Sequence, residues 1–254
     1  MEYYKTNAIY EHIIAKKLSQ YRFVAGNAWQ LVYGDNACNP LLLVFAVGVT
    51  GSTLEAPPAD SEMEALHLIG HVAERANLPF RYIRFATDVN EIEHVVVSDR
   101  DLSYSRLTMP ELSKMFGSFN LPVSNTHTAK YLNDQISSAY HKWQRSSLGA
   151  ALTVSDIDLW RVAENGTPEI VFELKRSYYD LPKWRPFPDD YRNFRLLSNL
   201  CQSTGMQLKI LYNQRIKQPF KEILDNLKIF SVDFSKTPQI SEGEIITLEE
   251  FEKL

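Results

Sequence analysis

The stretch from Val154 to Ser177 constrains this chain more than any other. It holds two apolar runs of strand length separated by Glu164-Asn165-Gly166-Thr167-Pro168. Asn-Gly takes up positive φ at little steric cost, so the pattern predicts a β-hairpin. Side chains alternate between the two faces of a strand. The expectation is that Asp156, Asp158 and Trp160 share one face of the first strand, with Ile157 and Leu159 on the other. On the second strand Val171, Glu173 and Lys175 share a face, and Phe172 and Leu174 point the opposite way. Carboxylates and a lysine then converge on one side of a sheet whose other side is apolar.

Close carboxylates raise one another's pKa unless a cation lies between them. Hard oxygen ligands with positions left for water and a phosphate oxygen suit Mg²⁺. A lysine two residues beyond a glutamate can orient a water or offset charge building up on a phosphate.

Asp158 followed by Glu173-Leu174-Lys175, a D…ExK arrangement, resembles the signature of the PD-(D/E)XK, or restriction-endonuclease-like, nuclease superfamily. The form D-I-D-L-W and then E-I-V-F-E-L-K is similar to its Holliday-junction-resolvase branch. The resemblance covers about residues 126–213 and implies an α/β chain with an α-β-β-β-α-β core in its C-terminal half. It implies metal-dependent hydrolysis of a phosphodiester, with DNA favoured as the partner and a homodimer as an assembly that would let both strands be cut. Asp158 and Glu173, with the main-chain carbonyl near Leu174, would hold Mg²⁺ or Mn²⁺; Asp156 is a reserve ligand and Lys175 would position the water. In many relatives the first helix carries a metal-binding glutamate, whereas the helix expected from about 128 to 145 offers only Asp134 and Gln135. The competing expectation is a catalytically inactive scaffold or nucleic-acid-binding subunit.

After the hairpin, Tyr178 to Asp190 is rich in aromatic, basic and proline residues. Such a loop either contacts phosphates and stacks on bases or is pinned to its own domain by aromatic packing. On the first reading the nucleic-acid contacts are Arg176, Lys183, Trp184, Arg185, Tyr191 and Arg192. Asp189 or Asp190 is expected to cap the next helix, Tyr191 to Ser203, which ends at Gly205. Net charge is −4, yet residues 124–222 carry 14 Lys/Arg against 10 Asp/Glu, which places basic charge around the motif.

The N-terminal part reads as a helix from Asn7 to Ser19 and strands from Trp29 to Tyr33 and Leu41 to Val49. A helix capped by Ser61 with Glu64 follows, and then strands from Phe80 to Phe85 and Ile92 to Ser98. His67 and His71 stand four apart on that helix, but without the glutamate of a zinc-binding H-E-x-x-H pattern. The expected division is an N-terminal α/β domain over 1–110, a linker over 111–124, and the nuclease-like domain over 125–254. Shifting by 127 residues lays Val44-Phe45 on Val171-Phe172 and puts Ala46 and Gly48 at the places of Glu173 and Lys175. The N-terminal half is then either a degenerate copy of the core or a chance alignment of common α/β elements.

With 44% hydrophobic and 23% charged residues, the composition is that of a globular chain. No apolar run reaches membrane-span length and the start lacks the form of a signal peptide. Two distant cysteines, Cys38 and Cys201, make no disulfide framework, so a cytoplasmic location is expected.

Overall fold

The structure is a computed structural model that describes residues 7–124 and 138–254. Tyr131, Asp134, Gln135 and Ile136 of the expected helix lie outside them. In chain order the elements are α1 (Ala8–Lys16), β1 (Tyr21–Arg22), β2 (Ala28–Gly34), β3 (Pro40–Val49), α2 (Asp60–Arg75), β4 (Phe80–Ala86), β5 (His94–Ser98), β6 (Ser105–Thr108) and α3 (Met109–Ser118). They continue with α4 (Ala139–Ser147), β7 (Thr153–Asp156), β8 (Leu159–Val162), β9 (Pro168–Ser177), α5 (Tyr191–Thr204), β10 (Gln207–Lys217), β11 (Phe220–Val232), β12 (Glu244–Thr247) and α6 (Leu248–Lys253).

The chain is mixed α/β, and its compact units are not its two halves. One consists of Met1–Phe23 with Ile157–Leu254, and the other of Val24–Asp156. The segment expected as a linker over 111–124 instead lies largely within α3, whose Leu112 and Phe116 are buried in the second unit's core. A capping box between Thr108 and Glu111 starts that helix. The Ser61 cap is also corrected: α2 begins at Asp60 behind Ala59, with no side-chain cap.

Each unit has one six-stranded sheet. The first runs β1-β8-β9-β10-β11-β12 and the second, read from its other edge, β7-β2-β3-β4-β5-β6. Among the described residues, β9 and β10 are the only parallel neighbours in the first sheet, and β3 and β4 in the second. The first unit's α1 and α6 bury Ile9, Ile13 and Phe251 against Leu159, Phe172, Leu211 and Ile229. In the second unit α3 and α4 bury Leu112, Phe116 and Tyr140 against Tyr33, Val44, Ile83 and Phe85.

The repetition extends to individual pairings, at an offset of 128 residues rather than 127. Leu31 pairs with Val44, and Leu159 with Phe172. Both ladders break at the same place, between Tyr33 and Gly34 and between Arg161 and Val162. The parallel pair Leu43–Phe80 matches Val171–Leu208. Buried Leu66, Ile69 and Val72 of α2 fall on buried Phe194, Leu197 and Leu200 of α5. Left-handed backbone follows each helix, at Asn77 (φ 52°) and at Gly205 (φ 69°). A slip of one residue turns every strand side chain to the other face, so the expected equivalences are corrected. Glu173 and Lys175 correspond to Phe45 and Val47, and Asp158 to Gln30, whose amide is buried and donates to the Ala65 carbonyl at 3.1 Å. The second unit repeats the strand order with uncharged groups at all three motif places.

Candidate functional site

The hairpin forms where the Asn-Gly turn predicts it, but its first strand is shorter than the alternation implied. β7 ends at Asp156, which pairs with Leu31 in the second sheet, and β8 starts at Leu159 in the first. Asp156 and Asp158 therefore do not share a strand face. Asp156, expected as a reserve ligand, is exposed in the second unit, where its charge acts on His141. Local pattern could not reveal this, because residues 154–160 alternate as one strand would.

At Asp158 the chain leaves the ladder. The carboxylate takes over as acceptor for the next strand amide: Leu174 N–H donates to Asp158 Oδ2 at 2.7 Å. From the α1 side, Tyr10 Oη donates to the Asp158 carbonyl at 2.7 Å. Backbone and side chain of Asp158 are thus both held.

On the opposite strand, Glu173 is 6% exposed and its Oε1 stands 3.0 Å from Lys175 Nζ. The same ammonium lies 3.1 Å from Asp190 Oδ2 and over the Phe194 ring of α5, 5.3 Å from its centre. Burial pulls the Lys175 pKa down, but Glu173 and Asp190 outweigh it and leave the value well above that of an ordinary lysine. Asp190, predicted as a helix cap, makes no side-chain cap hydrogen bond and serves Lys175 instead. Asp158 thus bonds the backbone of Leu174, the residue between Glu173 and Lys175 in the chain. Glu173 and Lys175 turn toward α5, while the charge of Asp158 is felt by Arg176, whose side chain alternates to the other face.

Arg176, expected as a phosphate contact, is engaged within its own unit. It lies 3.3 Å from Glu222, which also holds Arg215 at 2.7 Å and accepts from the Ala8 amide at 3.0 Å. Sequence reading missed Glu222 and Arg215, since the contact of Glu222 with Arg176, far away in the chain, leaves no local signal. Trp184 is 3% exposed and stacks on Tyr212, with ring centres 4.2 Å apart and planes 1° from parallel. Lys228 Nζ donates to the carbonyls of Pro182 and Trp184 at 2.7 and 3.1 Å. Aromatic packing therefore pins this loop, and Trp184 has no open face for a base. Tyr191 is half-buried among Phe194 and Phe234. Lys183, Arg185 and Arg192 are at the surface, as phosphate contacts require.

The hairpin packs against α1, whose Ile9 and Ile13 meet Leu159, Ile170 and Phe172. The first turn of α1 carries Glu11, which is exposed. Among the described residues no group of three or more His, Cys, Asp and Glu side chains is arranged to hold a metal, and no helix is long and apolar enough to cross a membrane.

No family model matches the chain, and no characterised protein matches it in sequence. Among solved structures it is similar to a sex pheromone staph-cAM373 precursor, with 7% identity over 95% of this chain and 92% of that one and a TM-score of 0.23. The C-terminal domain of the sex pheromone staph-cAM373 precursor from Staphylococcus aureus gives 6% identity over 86% of this chain and 69% of that one, with a TM-score of 0.20. Likeness at this level carries no argument about fold or function.

Proposed function

We propose that the first unit hydrolyses phosphodiester bonds of nucleic acid, DNA favoured, with a divalent metal, on a restriction-endonuclease-like core. The order α1-β1-β8-β9-α5-β10 supports the core, being an α-β-β-β-α-β sequence with its one parallel pair in the right place. One observation supports the chemistry: Asp158 accepts from the amide of Leu174, the residue that separates Glu173 from Lys175 in the chain, and Glu173 stands 3.0 Å from Lys175.

The donor chemistry fits Mg²⁺ or Mn²⁺. Both ligand side chains offer hard oxygens, and a carboxylate has about four lone-pair sites, so a bond to an amide or ammonium and a bond to a metal are compatible. Asp158 and Glu173 would hold the ion, with the Leu174 carbonyl beside them. The metal would supply Lewis acidity and an activated water. Lys175, with its raised pKa, stays protonated at neutral pH. Its role is to orient the water and stabilise phosphate charge, not to take up a proton. Asp190 keeps the ammonium in place as charge develops.

The second reading is a scaffold that binds nucleic acid without cutting it. It is favoured by the pairing of Lys175 with both Glu173 and Asp190, which partly neutralises the acidic cluster without a metal. Calorimetric titration with Mg²⁺ and Mn²⁺, beside cleavage of mixed DNA and RNA substrates, separates the two. Metal binding with metal-dependent cleavage supports the enzyme. A chain that binds no metal and cuts nothing is the scaffold.

A further inference from the structure

The end of the first sheet beyond Lys175 carries a cluster of exposed rings that the hydrolytic site does not use. Of the nine large hydrophobic side chains exposed among the described residues, five (Tyr178, Tyr179, Phe187, Ile216 and Phe220) lie in the β9–α5 loop or the β10–β11 hairpin. The four rings among them are linked through the following contacts. Lys217 Nζ stands over the Tyr178 ring, 4.9 Å from its centre, and so links the hairpin tip to the loop. The rings of Tyr179 and Phe187 are 6.1 Å apart. At the tip Phe220 pairs with Lys217 across the ladder.

These rings are displayed on held backbone. Tyr212 Oη donates to the Tyr179 carbonyl at 2.5 Å, and Trp184 packs beneath the loop, yet the Tyr179 side chain is 59% exposed. Side chains presented in advance lose little entropy on binding. An exposed aromatic cluster of this kind marks an interaction surface, and the basic groups within it, Lys217 and Lys221, select a polyanion.

We infer that this surface binds single-stranded nucleic acid by stacking unpaired bases on Tyr178, Tyr179, Phe187 and Phe220, while Lys217 and Lys221 contact phosphates. Aromatic rings stack on any exposed base, whereas the bases of a duplex are already stacked on each other. Tyr178 lies three residues past Lys175, about 10 Å along an extended chain. A strand lying across the rings therefore leads to Glu173 and Lys175. The inference rests on the proposed nucleic-acid function for its partner class but not on cleavage.

The test is fluorescence-anisotropy binding of the full chain to an oligothymidylate and to a duplex of equal length, in chelator so that nothing is cut. The expected result is tighter binding of the single strand, with affinity for it falling about ten-fold or more in Tyr179→Ala/Phe187→Ala. Tyr179→Phe should retain binding, since its ring still stacks. Lys217→Gln/Lys221→Gln should flatten the dependence of log K on log salt by about 0.7 for each phosphate no longer neutralised. Thermal melts are expected to match wild type, because these side chains lie at the surface. Equal affinity for duplex and single strand overturns the inference, as does unchanged affinity in the ring variants. Binding to anionic phospholipid vesicles that is abolished in the ring variants, with no oligothymidylate binding, assigns the surface to a membrane instead. Lys175→Ala should abolish cleavage and leave oligothymidylate binding intact. A chain that binds single strands but cuts nothing retains this inference and loses the hydrolytic one.

Discussion

Lys175 Nζ lies 3.1 Å from Asp190 Oδ2, a contact that joins β9 to the turn before α5 and leaves the motif lysine held between two carboxylates. Its folded-state pKa is therefore above the ordinary value of 10.5. A group with a raised value stabilises the fold fully below its unfolded pKa, and that stability is lost as pH rises through the folded value. The stability gap between wild type and Lys175→Met should be constant from pH 6 to 9, of about 1 kcal/mol for a partly exposed pair, and should shrink above 10.5. Denaturant melts across that range measure it, and a gap that widens with pH contradicts the assignment. Asp190→Asn should lower the Lys175 pKa, read by NMR of its Nζ group, and slow cleavage while leaving metal affinity near wild type.

Asp158 is expected to show two separable roles. Asp158→Ala strands the Leu174 amide and should cost about 1–3 kcal/mol of stability while abolishing cleavage. Asp158→Asn keeps a carbonyl acceptor for that amide, so its melt should stay near wild type while Mg²⁺ or Mn²⁺ affinity falls. Equal destabilisation by the two substitutions would show that the carboxylate's charge, not its acceptor geometry, holds the strand.

Trp184→Ala should destabilise the chain by about 3–5 kcal/mol, since it removes a buried indole from its stack on Tyr212. Lys183→Ala and Arg185→Ala should leave the melting temperature unchanged and weaken nucleic-acid binding, with a shallower salt slope. A mild Trp184→Ala melt accompanied by a loss of binding would return that residue to the interface.

In the second unit His141 packs edge-on against Trp29 at 4.7 Å and bonds Ser138 Oγ at 2.9 Å. Burial lowers its pKa from 6.5; Asp156 opposes this and Arg145 adds to it. The unfolded chain then takes up the proton first as the solution is acidified, so stability falls as pH drops below about 6.5. His141→Gln should lose less stability than wild type between pH 7 and 5 in urea melts. Parallel curves would mean that His141 is not the group responsible.

The Asn165-Gly166 turn, the alternation along β9 and the Gly205 terminus were legible because each is local, a matter of φ at one residue or of period along a few. The break between Asp156 and Leu159 was not legible, because two strands bound for different sheets continue one alternating pattern. Nor was the destination of α1, since the pairing of Tyr21 with Arg161 joins residues that no sequence period relates. The internal repeat was visible, but one residue out of step. Apolar residues at strand positions fit an offset of 127 about as well as 128, and only the ladder pairings and the matched breaks at Tyr33 and Arg161 choose between them. The positions Asp158, Glu173 and Lys175 could be picked out because they fall in or beside one hairpin. The contacts of Asp190 with Lys175 and of Glu222 with Arg176 could not, because tertiary folding alone makes them.

Each sheet takes an edge strand from a distant part of the chain: β1, which follows α1, joins β8, while β7, which follows α4, returns to β2. This arrangement sets an order of assembly on the ribosome. The unit spanning Val24–Asp156 can close as soon as Asp156 has emerged, since every strand it needs has by then been made. Residues 8–22 must wait, with the apolar face of Ile9 and Ile13 uncovered, until Leu159 and Phe172 arrive. Residues 8–22 are thus made before the unit spanning Val24–Asp156 yet buried after it, and the nascent chain carries an apolar helix in need of protection until β8 and β9 emerge.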